Sequence, residues 1–519
     1  MYSEKQCKRK DATMADKSKR QYVAKTRKKG RKRKRVKKEA KQDTYNETGN
    51  IIDDTACCVP QSSVRHEQRE KTAAKEDDEL LQCKYTSPSV VYEAATLRAV
   101  DEITEYFGKV TNPILGKKWA SFCEEFLGHS WLHFDGTIHE DGSDGSQPYG
   151  GFPILPSKES CEKLASKGTL GRGRWKWLHE KLTSCAMNTD DARQACITLA
   201  TMVSTQLAAH MKARTCGGSF SSFSLSKTPH SVSVGFSHYG EKWVRLSCCG
   251  VALDISSDAL ENKLLRLYRR SFAVSAKYSE DTNENTDDVD VHMSIDIDNV
   301  SFRSAAFCCI ARYMSSMGGS KRNAGGLHAA CNHKVFVALK KNLNVTFECF
   351  ASPLNVSSET SLGYCSIHYD VDKPFGSHGS FFCFHPRSGS YMCNPPFLES
   401  VVARMACHIE NLLDRAETGK RALSFIVIIK KDKMSSAWQQ LSKSKFKSFE
   451  RTLWMGEHSY CEGASFMRYR KHRMALHDSS FIALQTTVAS TQLPVTEKKW
   501  ISIEQAFAIE ATSIEHSPS

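Results

Sequence analysis

The sharpest chemical feature of this sequence is Asn394-Pro395-Pro396-Phe397, set between a β-like segment and an amphipathic helical pattern. These residue types suit the methylation of an exocyclic amine. An aryl amine is a poor nucleophile because its lone pair is delocalised into the ring. Two acceptors that take its two N–H bonds draw the nitrogen toward a tetrahedral geometry and free that pair. The side-chain oxygen of Asn394 and the backbone carbonyl of Pro395 can be those acceptors, and Pro395 and Pro396 fix φ so the loop needs no reorganisation. Phe397 offers a ring for a planar base, a stack worth about 1–3 kcal/mol in other proteins. No strong general base is required, because the proton leaves a nitrogen that methyl transfer has already made cationic. The bland alternative is an ordinary Pro-Pro turn; the position between strand and helix favours the chemical reading.

A cofactor for such a reaction needs its own loop. No Gly-x-Gly-x-x-Gly follows a strand in the expected place, so the dinucleotide fingerprint is absent. The best replacement is Phe350-Ala351-Ser352-Pro353-Leu354-Asn355, at the end of an apolar strand expected over 345–350. Small side chains there let a ligand approach the backbone, which makes Phe350, Ser352, Pro353 and Asn355 cofactor candidates. Phe375-Gly376-Ser377-His378-Gly379 is a second small-residue loop, contributing Phe375 and Gly376. Each loop also reads as a tight turn. No metal is expected: the 20 cysteines include no C-x-x-C spacing, and His368, His378, His385, His458, His472 and His477 lack ligand spacing.

The elements that must position these residues follow from hydrophobic period. Residues 1–88 are polar and charged and read as a disordered basic tail. Residues 1–42 hold 19 Lys+Arg and 4 Asp+Glu, so of the chain's net +14 the remainder carries 53 − 54 = −1. The run 27–38 is almost continuously basic, as in a nuclear-import signal or a non-specific nucleic-acid arm. Helical spacing over 92–107, 119–127, 174–185 and 190–211 predicts a mostly helical domain at 89–215, interrupted by a Gly/Asp/Ser-rich loop at 135–153. Strands then alternate with helices from 216 to 490, with strands near 232–251, 345–350, 381–384, 391–397, 423–429 and 480–484 and helices near 259–268, 302–317, 328–343 and 398–413. That alternation predicts an α/β sheet with ligands at the carboxyl ends of its strands. An acidic stretch at 279–298 reads as a surface insertion, and 491–519 as a C-terminal tail. The longest apolar run, 423–429, is far too short to cross a bilayer. With a charged start and scattered cysteines, the expectation is a soluble intracellular protein with reduced thiols.

The segment Val345-Thr346-Phe347-Glu348-Cys349-Phe350-Ala351-Ser352-Pro353-Leu354-Asn355 resembles the cap-specific mRNA (2′-O-methyladenosine-N6-)-methyltransferase family, also called phosphorylated CTD-interacting factor. The resemblance continues through Leu267-Tyr268-Arg269, Phe375-Gly376-Ser377, Gly389-Ser390, the Asn394 tetrapeptide, Glu399, residues 423–427, 457–460 and 481–485, and His477. It implies a Rossmann-like methyltransferase domain preceded by a mostly helical domain. It also implies transfer of a methyl from S-adenosylmethionine to N6 of the 2′-O-methyladenosine beside the 7-methylguanosine cap of mRNA, in the nucleus. By the same similarity Asn394, Pro395, Pro396 and Phe397 grip the adenine amine and line the cofactor site. Glu399 matches a position that holds the capped substrate, and Lys118 beside Trp119 matches an Arg–Trp pair that contacts it.

Family members in animals begin with a WW domain that reads phosphorylated RNA polymerase II tails. No Trp-spaced WW pattern precedes Trp119, so the expectation is a chain lacking that domain, with recruitment by the polymerase tail left open. After Ile429 the family's Pro-Glu-Trp is replaced by Lys430-Lys431-Asp432, and Trp438 is either a shifted substitute or a structural residue. Two other readings remain beside cap methylation. One keeps the fold but acts on other RNA, DNA or a protein glutamine; the other is a non-catalytic cap- or RNA-binding protein.

Overall fold

The computed structural model describes residues 89–129, 154–171, 173–185, 187–216, 234–238, 242–271, 295–320, 326–360, 362–463, 465–467 and 472–508. The basic tail, the loop at 135–153 and most of the acidic insertion lie outside them. Helix α1 (Val90–Leu115) starts where the Ser89 hydroxyl accepts the Tyr92 N–H, which supplies a partner for an otherwise orphaned first-turn donor. Its apolar stripe, with α2 (Trp119–Leu127), α3 (Lys158–Lys167), α4 (Arg174–Ser184) and α5 (Thr189–Cys216), closes a helical core around Phe107, Phe126, Trp175 and Leu199. The first turns of α1 look the other way. Ala94 and Leu97 join a second core with the antiparallel meander β1 (Gly235–His238), β2 (Trp243–Cys248) and β3 (Val251–Ser256), and with α6 (Val300–Ser316). The helical and sheet portions thus share α1, inside one compact unit.

After α7 (His333–Leu343) comes a six-stranded sheet, in the order β5-β4-β6-β7-β11-β8. Its strands are β4 (Phe347–Glu348), β5 (Gly363–Tyr364), β6 (Gly389–Cys393), β7 (Leu423–Lys430), β8 (Lys447–Leu453) and β11 (Ser479–Gln485); β9 (Ser459–Cys461) and β10 (His472–Met474) form a separate ribbon. β5, β4, β6 and β7 are mutually parallel, and β11 runs antiparallel to both β7 and β8. β7 shows why its sequence is a continuous apolar run. Leu423, Phe425, Val427 and Ile429 face α8 (Glu399–Thr418) and α9 (Ser436–Ser442), while Ile426 and Ile428 face α7 and α11 (Glu497–Phe507). A strand covered on both sides has no polar face to present. Among the described residues no helix is long and apolar enough to cross a membrane.

Several expected boundaries shift. The tail expected at 491–519 is corrected: α10 (Thr487–Gln492) and α11 follow β11, and α11 buries Trp500, Ile503 and Phe507 against the sheet. The short strand expected at 381–384 is a 3₁₀ turn, Phe381–Cys383, held by the Ser380 hydroxyl. The helix expected from His328 begins at His333, where Asn332 caps it by accepting the Val335 N–H. The strand near 480–484 lies inside the sheet, and the edge beyond it is β8, in which Lys447, Glu450 and Arg451 leave no apolar run.

Candidate active site

β4 and β6 lie side by side and parallel, and both end at the same edge of the sheet. The chain leaving β4 goes on to β5, on one side, while the chain leaving β6 reaches β7 on the other. Loops that part in this way leave a crevice at the strands' carboxyl ends. Here the crevice is an open pocket, about 710 Å³ of empty space when the solvent at its mouth is included, lined from one side by Cys349, Phe350, Ala351 and Asn355 and from the other by Asn394 and Pro396.

The loop after β4 is built around Asn355. Its side-chain oxygen accepts from the backbone N–H (2.7 Å) and hydroxyl (2.9 Å) of Ser352, and its amide donates to the His328 carbonyl at 3.0 Å. Asn394 is treated alike on its donor side, its amide N–H₂ reaching the Ala329 carbonyl at 3.2 Å. That bond fixes the orientation of the amide. The side-chain oxygen of Asn394 is buried without a hydrogen-bond partner. An unpaired buried acceptor costs about 1–3 kcal/mol, and a bound donor removes that cost.

Both amides therefore depend on one short strap, 327–329, which forms part of the cavity wall. The strap is held from the helical side, where the Glu124 carboxylate of α2 accepts the Leu327 N–H at 3.3 Å. Beyond it, Ala330 and Cys461 exchange backbone bonds of 3.1 and 2.8 Å. Burial pushes His328 down to about 4, so its imidazole is neutral at physiological pH. The lining also includes an aromatic cluster, with Phe350 5.2 Å from Phe381 and 6.0 Å from Phe382. Arg404 of α8 completes it, its guanidinium 4.5 Å above the Phe382 ring.

Two buried carboxyls adjoin wall residues, Glu348 preceding Cys349 and Asp372 bonded by Ser366. Glu348, the last residue of β4, is pushed up to about 8 by burial, against the Ser357 N–H (2.6 Å) and the Lys263 charge. Asp372 is pushed up to about 7, again by burial, against hydrogen bonds from Ser366 and Tyr313. Near it Arg312 of α6 is clamped between Glu93 of α1 and Asp370 at 2.5–3.2 Å. That buried cluster ties α1 and α6 to the segment carrying Ser366 and Ile367, two further wall residues.

Of the residues expected from sequence, Phe350, Asn355, Asn394 and Pro396 line the cavity together. Ser352 and Pro353 are buried just behind it, and Pro395 is buried in the opposite loop. Phe397 packs against Tyr460 (5.9 Å) and His477 (5.5 Å). Phe375 and Gly376 are not brought to the cavity. Phe375 is wholly buried against Tyr268, and Gly376 ends its 3₁₀ turn at φ 84°, a conformation that favours glycine for structural reasons. Glu399 opens α8 at the surface, where its carboxylate accepts from the Ser436 hydroxyl (2.9 Å) and the Ala437 N–H (3.0 Å). Burial opposes ionisation there, but these bonds and that of Ser435 hold its carboxyl below the usual range. Lys118 is exposed at the end of the 3₁₀ turn before α2. Trp438 donates to the Ser480 hydroxyl at 2.8 Å and is built into the sheet's packing. Sequence reasoning missed the strap, Ser366, Ile367 and Arg404. None belongs to a motif, and only the fold assembles them.

Comparison with known proteins shows what the segment carrying this cavity is similar to. The family model described as the phosphorylated CTD interacting factor 1 WW domain matches residues 263–463. An mRNA (2′-O-methyladenosine-N(6)-)-methyltransferase from Homo sapiens is 32% identical over 210 residues, covering 40% of this chain and 29% of the human protein. The protein of the same name from Mus musculus is 35% identical over 188 residues, covering 36% of this chain and 26% of its own length. The chain thus aligns with less than a third of the length of the curated relatives it matches. The first match also corrects one expectation. A chain lacking the family's WW region was expected from the absence of a pattern before Trp119, whereas the model bearing that description matches further on, where β4, β6, β7 and the cavity lie.

Proposed function

We propose that this chain is an S-adenosylmethionine-dependent methyltransferase that modifies N6 of the 2′-O-methyladenosine next to the 7-methylguanosine cap of mRNA. The observation that carries the reading is the buried, unpartnered side-chain oxygen of Asn394 in the wall of a cavity at the ends of β4 and β6. An exocyclic amine is a donor that such an acceptor fits, and the human and mouse relatives are named for methylating N6 of 2′-O-methyladenosine in mRNA. A mostly parallel sheet covered on both faces, with its cavity where loops diverge, supports a Rossmann-like methyltransferase domain over 216–490. The helices of 89–215 serve that domain through Glu124, which holds the strap.

The residues present fit the cofactor: an aromatic wall for a planar ring, small side chains at Ala351 and Ser352, and Arg404 for a carboxylate. Phe350, Ser352, Pro353 and Asn355 hold it in this reading, and when bound it supplies an electrophilic methyl. The chain's own residues do the rest. Asn394 accepts one amine N–H and the Pro395 carbonyl the other, directing the nitrogen lone pair out of conjugation. The two prolines keep those acceptors aimed without reorganisation. In this reading Glu399, held ionised by its neighbours, accepts from the N1–H and amino group of the cap guanine, and Lys118 meets the substrate from the helical side. Capped mRNA and the phosphorylated polymerase tail are the partners, and the nucleus the compartment, consistent with the basic run at 27–38.

The test is methyl transfer from labelled S-adenosylmethionine to two matched RNAs beginning with 2′-O-methyladenosine, one capped and one not, with products resolved by mass. Label confined to the first adenosine of the capped RNA is the expected result. Equal label on both points to a general adenine methyltransferase. Cofactor binding without label on either removes the reading.

A further inference from the structure

Five of the nine exposed large apolar side chains among the described residues lie along one edge of the molecule: Met434, Trp454, Met455, Met474 and Leu476. Met434 is 89% exposed, Leu476 67% and Trp454 53%. Apolar surface concentrated in this way marks a contact site. The five come from the segments after β7 and β8 and from the end of β10 and the turn that leads into β11, the same end of the sheet at which β4 and β6 open onto the cavity.

The loops are fastened to one another. The Asp478 carbonyl accepts the Lys431 N–H at 2.8 Å, and its carboxylate accepts the Met455 N–H at 2.9 Å. The His458 ring bonds the Trp454 carbonyl at 2.8 Å, while its own carbonyl accepts the Ala475 N–H at 3.0 Å. The ridge also carries positive charge. The Lys431 ammonium lies 5.7 Å from the centre of the Trp454 ring, with Lys430, Lys433 and Arg473 nearby in the chain. Asp432 engages Lys430 and the Met434 N–H, and Glu457 adds a carboxylate at the turn after β8. The ridge joins the catalytic loop, because His477, next to Leu476, packs 5.5 Å from Phe397.

We propose that this ridge binds the single-stranded RNA that follows the target nucleotide, with a base stacked on Trp454 and the backbone beside Lys431, Lys433 and Arg473. The proposal rests on the methyltransferase reading above and extends it from the target base to the body of the transcript. Aromatic and aliphatic faces interleaved with lysines are what a single strand needs from a surface, since every base has a stacking face and every linkage a charge. A polymer whose first base enters the cavity has to leave across one rim, and this rim offers the stacking platform.

The experiment compares the full chain with its Trp454→Ala and Trp454→Phe variants on two substrates, a cap dinucleotide ending in 2′-O-methyladenosine and a capped RNA of about a dozen nucleotides. Trp454→Ala is expected to raise KM for the longer RNA roughly tenfold, the size of one base–aromatic stack, with the effect in KM rather than kcat. The dinucleotide is expected to show no such change, and Trp454→Phe to restore most of the loss. Equal effects on both substrates, or none on either, overturn the proposal. A second measurement keeps it separable from the reaction. 4-Thiouridine placed downstream of the first nucleotide is photo-crosslinked to the full chain and the attachment mapped. Attachment to 454–455 or 474–476 supports the ridge even when no methyl is transferred. Attachment only elsewhere overturns it and leaves the ridge to a protein partner.

Discussion

Asn394 shows what one residue can disclose and what it cannot. Its neighbours Pro395, Pro396 and Phe397 made the loop legible in the sequence, because rigid φ and a stacking ring around an amide suit amine chemistry. The bond that orients the amide was not legible, since its partner, the Ala329 carbonyl, is 65 positions away. Asn394→Ala removes the buried, unpartnered acceptor and leaves the backbone of the loop. Turnover is expected to fall by about 10²–10³ with little change in thermal midpoint, as when a single preorganised hydrogen-bonding group is lost. An unchanged rate in the same assay takes Asn394 out of the mechanism. Glu348 makes a different prediction. In the folded chain it keeps its proton up to about pH 8, whereas unfolded it loses it near 4.5. Between those values the folded state binds more protons, so this contribution is full below about pH 4.5 and is lost as pH rises toward 8, at roughly 1.4 kcal/mol per unit. Glu348→Gln keeps an acceptor for the Ser357 N–H and removes the titration. Its thermal midpoint is expected to fall less than the wild type's between pH 5 and 8; parallel curves would show that Glu348 does not titrate in that range.

At the scale of elements, legibility followed burial. β7 and α8 were readable because one is apolar throughout and the other carries a clean apolar stripe. β8 was not, because an edge strand with one neighbour can carry Lys447, Glu450 and Arg451. The strap at 327–329 has no period at all, yet it orients both Asn355 and Asn394. α11 falls in a stretch that reads as a tail because its apolar residues are few. Those few are fully committed: Trp500 meets Phe481 at 5.0 Å and Phe449 at 6.1 Å, beside Ile503 and Phe507. Trp500→Ala is expected to cost about 3–5 kcal/mol in chemical denaturation, the range for emptying a large aromatic site. A loss below 1 kcal/mol would mean that α11 is an appendage after all.

For the whole molecule the decisive quantity is where charge and shape sit. The fold class was readable from alternating elements. The cavity was only half readable, because its wall is drawn from the strap, 349–367, 380–382 and 394–404, segments that meet only when β4 and β6 become neighbours. Charge divides differently. Residues 1–42 carry 19 basic against 4 acidic residues, and the remainder is close to neutral. On the proposed function, recognition of a capped end has to come from the shaped site, and long-range attraction to phosphate falls to the tail. Each phosphate contact adds about −0.7 to the slope of log K against log salt for a single strand. Deleting residues 1–42 is expected to flatten that slope by several contacts for capped and uncapped RNA alike, and to leave turnover on a short capped RNA intact. The measurement is a salt titration of RNA binding, paired with the methyl-transfer assay. An unaltered slope would confine the tail to addressing the protein rather than holding its substrate. Lost turnover on the short RNA would mean that the tail reaches the site, and that the separation of shape from charge drawn from the sequence is wrong.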